Sequence, residues 1–247
     1  MSAIIEINKV SKQYPKTEKP SLNDISFEVA KGSKIGIFGP NGAGKTTLIS
    51  ILCGIIKQSS GEITYFKDNQ PTGLKEVLPK IGYVPQDFSF FPELSPYQNL
   101  MYFGALYGIQ KKELKSKIDE LLKVLGLSHV IHKKVGKFSG GMKRRVNLAI
   151  GIINNPDILF LDEPTVGVDV QSKNAIMTYL EELNVNGTTI IYTSHHMNEG
   201  QEFCNQILLI DQGILITLDN LDHLLADHNE TSLEALFLKL TGIEYRD

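Results

Sequence analysis

The run Gly39-Pro40-Asn41-Gly42-Ala43-Gly44-Lys45-Thr46 matches the spacing GxxxxGK[ST], and its surroundings are those the pattern requires. A short apolar stretch, Lys34 to Phe38, reads as the strand leading in, and Thr46 to Ile56 reads as the helix leading out. The glycines let the backbone wrap closely around anionic oxygens, while the exposed amides and the positive end of the following helix attract phosphate. Lys45 is placed to reach terminal phosphates, and the Thr46 hydroxyl to ligate magnesium.

The rest of the chain has the rhythm of an α/β protein. Short β-branched or apolar stretches (Lys34 to Phe38, Ile81 to Val84, Ile158 to Leu161, Thr188 to Thr193, Ile207 to Ile210) are separated by longer helical patterns. Ile158-Leu159-Phe160-Leu161 shows no polar alternation, as expected of a central parallel strand covered on both faces. The first carboxylate after it, Asp162, is the natural partner of magnesium, and Glu163 is the candidate base for an attacking water. Together with the phosphate loop, this pair describes a nucleotide hydrolase.

Between about Asp87 and Asn155 strand signals disappear. Pro96 to Tyr107, Lys111 to Leu125 and Gly140 to Ile153 carry helical spacing instead. After Asp219, Leu221, Leu224 and Leu225, then Leu233, Leu236, Phe237 and Leu240, mark two short amphipathic helices. We therefore expect a single domain over 1–247, with a nucleotide-binding core from 1–86 and 156–218. A helical subdomain over 87–155 and a C-terminal helical tail over 219–247 complete it.

Composition narrows the partners. With 247 residues, 42% hydrophobic and 21% charged, the chain can build a sizeable core without metals or disulfides. Cys53 and Cys204 stand far apart with no CxxC or Cys/His cluster, which fits a reducing compartment. The N-terminus alternates like a strand and lacks the build of a signal peptide, and no apolar run approaches the roughly 18 residues of a membrane span. A net charge of -3 gives no general footprint for nucleic acid, although Lys143, Arg144 and Arg145 could form a local basic patch.

Phe138-Ser139-Gly140-Gly141-Met142-Lys143-Arg144-Arg145 resembles the ABC signature, usually LSGGQ. Ser139 is a good helix N-cap, and Gly140 and Gly141 leave the first amides of the helix uncovered, a second anion site. Other marks of that family follow in order. Tyr14 resembles the aromatic that stacks on adenine, Gln86 the Q-loop glutamine, Asp169 the D-loop aspartate and His195 the switch histidine.

The resemblance covers nearly the whole chain. It implies a P-loop NTPase of RecA-like core, mostly parallel sheet plus an antiparallel β-subdomain, with an inserted α-helical subdomain. It also implies a head-to-tail homodimer around two Mg-ATP. Gly39 through Thr47, Gln86 and Asp169 would bind ATP, with Thr46, Gln86 and Asp162 toward magnesium, while Ser139, Gly140 and Gly141 of one copy would contact the γ-phosphate held by Lys45 of the other. Glu163 and His195 would be catalytic. Phe138 and Met142 replace the commoner Leu and Gln, and Val166-Gly167-Val168-Asp169 lacks the usual Leu, but the Ser-Gly-Gly is untouched.

A separate transmembrane permease is the implied partner, which would hold the chain on the cytoplasmic face of the membrane. Phe88, Phe90, Phe91, Tyr97, Tyr102 and Phe103 are expected to divide, some rings packing in a small core of the helical insert and some lying at the groove that, by the resemblance, receives the permease. His195-His196-Met197-Asn198-Glu199 and the stretch Leu233 to Gly242 are similar to separate-chain exporters, and no room remains for the regulatory β-domain commoner in importers. A soluble ABC ATPase acting on ribosomes or nucleic acid is the alternative. It fits less well, because there is one cassette, no heptad tract and no cysteine cluster. A nucleotide sensor that barely hydrolyses would be expected to lack Glu163.

Overall fold

The computed structural model describes residues 2–242 and separates into two compact units, one built from the chain up to Leu78 and from Thr189 onward, the other from Pro79–Thr188. In the first, β1 (Ala3–Lys12), β2 (Leu22–Ala30), β4 (Ser60–Lys67) and β5 (Gln70–Thr72) form an antiparallel sheet in the order β2-β1-β4-β5. Ile5 lies opposite both Val29 and Tyr65, and Ile7 opposite Phe27 and Ile63. Alternate positions Ile25, Phe27 and Val29 are buried while their neighbours face out, the period of two that fixes a half-buried strand. Asp68 and Asn69, both at positive φ, form the two-residue turn that joins β4 to β5.

The same unit holds β3 (Lys34–Phe38), which runs parallel to β8 (Thr189–Ser194) and to β9 (Gln206–Asp211). The strand β10 (Ile214–Asn220) folds back antiparallel onto β9 through Gln212 and Gly213. Helix α1 (Lys45–Leu52) is shorter than the Thr46 to Ile56 pattern suggests. Gly54, at φ 75°, turns left-handed, its N–H bonding Ile51 O while Ile55 N–H bonds Ser50 O. This pair of bonds is a Schellman stop. The single turn α2 (Leu74–Val77) follows β5 and places the Leu74 side chain where a Cβ on Gly54 would stand.

In the second unit β6 (Ile81–Val84) and β7 (Ile158–Asp162) pair in parallel. Every residue of β7 is buried, as its unbroken apolar run requires. Between them come only helices: α3 (Pro96–Leu106), α4 (Lys111–Val124) and α5 (Gly140–Gly151), with short 3-10 turns. Helix α3 opens on a capping box, Ser95 accepting from Gln98 N–H while the Gln98 side chain returns the bond, with Pro96 in the first turn. Leu100, Leu114, Ile118, Leu122 and Leu125 form the core under α3 and α4. Helix α6 (Val170–Val185) follows β7.

The aromatic residues of this segment do not make that core. Phe88, Phe91, Tyr102 and Tyr107 are exposed, and Phe91, Tyr102 and Phe103 pack on one another with ring centroids 5.1 to 6.1 Å apart. In the first unit, α7 (Met197–Phe203), α8 (Leu221–His228) and α9 (Leu233–Thr241) complete the chain, the last two where the leucine spacing puts them. No helix among the described residues is long and apolar enough to cross a membrane.

Candidate functional site

Parallel pairing brings two candidate residues of the first unit to neighbouring strand ends. β3 and β8 stay in register up to Phe38 opposite Ser194, so the chain enters Gly39 beside the point where it enters His195. The carboxyl ends of parallel strands are where α/β sheets bind ligands.

The loop from Gly39 to Lys45 is wedged by its own unit. Gly39 lies so close to Ile210 that a Cβ would stand 2.0 Å from the Ile210 carbonyl oxygen, and at Gly44, φ 110°, a Cβ would stand 2.6 Å from Ser21 O. Gly213 N–H bonds Ala43 O at 2.9 Å, and Ala43 N–H bonds Pro40 O at 3.1 Å. These contacts account for the glycines at 39 and 44. Gly42, at φ 79°, has open space around it and needs glycine only for its backbone angle.

Lys45 is buried, and its ammonium donates to Gly39 O at 2.7 Å and Pro40 O at 3.1 Å, so the charge is folded back onto the carbonyls of its own loop. Asn41, Gly42 and Thr46 face out at the same edge, with Pro40 buried and Thr47 partly covered. Tyr14 sits just past β1 on a turn closed by Thr17, its ring half-exposed with the Lys12 ammonium 5.2 Å from the centroid. The rings of His195 and His196 lie 4.0 Å apart.

The second unit assembles the other group. β6 and β7 run in register to Val84 opposite Leu161, so Gln86 and the Asp162-Glu163 pair leave adjacent strand ends. Asp162 and Glu163 are both buried, and the Gln86 side-chain amide donates to Glu163 Oε2 at 3.0 Å. Glu163 has φ 50°, a left-handed backbone uncommon outside glycine and asparagine. Ser139 caps α5, its hydroxyl accepting from Met142 N–H at 3.3 Å, and Ser139 and Gly140 are exposed at the helix tip.

Gly141 answers a different demand. A Cβ there would stand 2.2 Å from Ser172 Oγ and 2.7 Å from Asp169 Oδ2, so α5 can lie against the start of α6 only with glycine at this position. Asp169 caps α6 in turn. Its carboxylate accepts from Ser172 N–H at 2.9 Å and Ser172 Oγ at 2.8 Å, and these bonds hold the carboxyl below its ordinary 3.8.

Both arginines of the basic run after the signature bond backbone carbonyls. Arg144 is buried and donates to Gln86 O and, at 3.3 Å, to Val166 O. Arg145 donates to Leu125 O at 2.9 Å. Of the possible patch of Lys143, Arg144 and Arg145, Arg144 at least is withdrawn from the surface. The signal was available, because Arg144 shares a helix face with Leu148, one turn on, and an arginine on a buried stripe must find acceptors.

A strand, glycine loop and helix with a buried lysine, and an acidic pair at the end of a second buried strand, define a phosphate-loop nucleotide hydrolase of mixed α/β fold. The chain belongs to the ABC transporter family, whose profile matches residues 22–166, and it is an ABC ATPase. It is 40% identical over 218 residues to the linearmycin resistance ATP-binding protein LnrL of Bacillus subtilis (strain 168), covering 87% of this chain and 68% of that protein. It is 36% identical to the Nod factor export ATP-binding protein I of Cupriavidus pinatubonensis (strain JMP 134 / LMG 1197), over 86% of this chain and 65% of that one. The chain thus spans about two thirds of the length of these curated relatives. Among solved structures it superposes with a TM-score of 0.79 and 27% identity on the dimeric post-hydrolysis state of the ATP-binding cassette MJ0796 bound to ADP and Pi, over 88% of this chain and 98% of that one.

Proposed function

We propose that the chain is the ATP-hydrolysing subunit of an exporter, dimerising head-to-tail around two Mg-ATP and driving a separate transmembrane permease from the cytoplasmic face of the membrane. The observation that carries the hydrolytic part is the buried Glu163 carboxylate, fixed by the Gln86 amide at the end of β7. A general base must be held in one place to take a proton from water, and a carboxylate on a rigid strand end with one oxygen already bonded meets that need.

Lys45 exchanges its loop carbonyls for phosphate oxygens, and the Gly39 to Thr47 loop supplies amides around them. The donors assigned to magnesium are the Thr46 hydroxyl, the Gln86 amide oxygen and the Asp162 carboxylate. All are hard oxygen ligands, the set this ion takes. Bound there, magnesium would neutralise charge on the β- and γ-phosphates. Tyr14 is assigned to adenine and His195 to the γ-phosphate; the level ends of β3 and β8, before Gly39 and His195, support the second assignment. The exposed Ser139 and Gly140 at the tip of α5, with Asp169 nearby, offer the second anion site to the nucleotide of a partner copy.

Export rests on the name of the Nod factor export relative and on the likeness of the segments after His195 and Leu233 to separate-chain exporters. The exposed rings Phe88, Phe91, Tyr102 and Tyr107 form the surface proposed to receive the permease, since exposed aromatic clusters mark partner sites. Glu163→Gln tests the assignment. Hydrolysis should slow by about 10²-fold or more with ATP binding retained, and light scattering should find a stable dimer in ATP. Hydrolysis at the wild-type rate would remove Glu163 from the role, and a variant that stays single in ATP and magnesium with its permease supplied would remove the sandwich.

A further inference from the structure

Arg144 spends a buried charge on two backbone carbonyls that lie on different segments. Nη1 donates to Gln86 O, just past β6, and Nη2 to Val166 O, just past β7. Val166 N–H closes a turn back onto Glu163 O at 3.4 Å, so the second contact grips the turn that carries the glutamate. One planar fork therefore holds both sides of the Gln86 to Glu163 hydrogen bond. The Phe88 ring covers the guanidinium, 4.9 Å from its carbon, and Nε is buried with no partner among the described residues.

Such an arrangement is costly for mere filling. Burial lowers the readiness of this guanidinium to hold its charge, and the nearby charges of Asp87 and Glu163 offset that. A Met or Leu would fill the same space without the penalty. The neighbouring Arg145 serves α5 differently, anchoring it to Leu125 O.

We propose that Arg144 is a positioning residue through which helix α5 sets the geometry of the Gln86 and Glu163 pair. The proposal rests on the assignment of that pair to hydrolysis. Fixing the Gln86 carbonyl fixes its peptide plane and hence the direction from which the side chain reaches Glu163. Arg144 stands on the second turn of the helix whose tip is Ser139 and Gly140, so a shift of α5 on meeting phosphate is delivered to the base. A lysine in its place has the charge but not the fork, and can serve one carbonyl at a time.

The test measures the full chain as Arg144→Lys and Arg144→Gln, each alone and combined with Gln86→Ala. Arg144→Lys should lower kcat about 3- to 10-fold and Arg144→Gln more, with the Kd for ATP within about twofold of wild type. In the Gln86→Ala background Arg144→Lys should add less than about twofold, because both changes act through one pair. A wild-type kcat for Arg144→Lys, or a loss that multiplies fully with that of Gln86→Ala, would overturn the proposal, and Arg144→Lys decides even if Arg144→Gln fails to fold. Should Glu163→Gln hydrolyse normally, the assignment of the base fails; should Glu163→Gln be slow and Arg144→Lys unaffected, only the positioning role fails.

Discussion

Gln86 and Glu163 are joined by a 3.0 Å hydrogen bond because β6 and β7, far apart in sequence, run parallel and end level. Glu163 is held twice, by that bond and by a left-handed backbone at φ 50°. A non-glycine residue in that region costs about 1 kcal/mol or more and persists only where its surroundings insist on it. Here the insistence comes from β7 and from the Val166 turn.

Gln86→Ala removes the bond that Glu163 Oε2 accepts and with it one restraint on the carboxylate. Turnover should fall about tenfold and ATP affinity by less, since the phosphate loop and the other two magnesium donors, Thr46 and Asp162, are unaltered. Single-turnover hydrolysis beside a fluorescent-nucleotide titration measures both. Parallel losses in the two would mean that Gln86 serves binding rather than the base.

Gly44→Ala should do the reverse. Its Cβ would stand 2.6 Å from Ser21 O and 2.8 Å from Leu22 Cδ2, and φ is 110°. The start of α1, and Lys45 with it, must move. We expect nucleotide affinity to fall more than about tenfold and stability by about 2 kcal/mol, read from titration and thermal melts. Gly42→Ala is the contrast: its φ is 79° but nothing lies within 4 Å, so only backbone strain of about 1 kcal/mol is expected. Equal damage from both would refute the wedging of the loop.

The phosphate loop, the strand leading into it, the buried strand β7 and the acidic pair at its end were legible because each depends on local chemistry: glycine freedom, an unbroken apolar run, a carboxylate at its end. The helical stretch before Asp157 was legible from its spacing. What the sequence hid was long-range. Gly141 looks like a residue kept small for a phosphate, yet its tightest neighbours are Ser172 and Asp169. Arg144 looks like surface charge, yet its acceptors are the Gln86 carbonyl and Val166, which only the parallel pairing of β6 and β7 brings near. The aromatic residues after Gln86 could have been core or surface by periodicity alone, and the leucines of α3 and α4 took the core.

Asp169 supplies a pH test. The Ser172 bonds hold its carboxyl below the ordinary 3.8, so the folded state favours the ionised form. Stability from this group is therefore fully present above the unfolded value and is lost as pH falls through the lower folded value. Asp169→Asn keeps a capping side chain but cannot titrate. Between about pH 4 and the acid end of the folded range, the wild-type Tm should drop more steeply than that of Asp169→Asn. Parallel melting curves would show that the Ser172 bonds do not discriminate between the two protonation states.

Phe38 ends β3 one residue before the phosphate loop, and its ring lies in a slot cleared by two glycines. A Cβ on Gly200, in α7, would stand 1.8 Å from Phe38 Cζ, and one on Gly36 would stand 2.1 Å from Phe38 Cε2. The rings of Tyr192 and Phe203 continue the stack behind it, and Phe38 itself is fully buried, so the ring has no easy way to yield. Gly200→Ala should therefore cost about 2 kcal/mol or more of stability, in line with overpacking a rigid core. The strain should also reach the loop, because the residue that must move is bonded to Gly39. We expect the variant to melt at lower temperature and to bind ATP more weakly, whereas Gly200→Ala with Phe38→Leu, which shortens the ring to an aliphatic branch, should recover part of both. A variant with wild-type Tm would mean that α7 slides away from β3 at little cost, and the slot would then be no constraint on the phosphate loop.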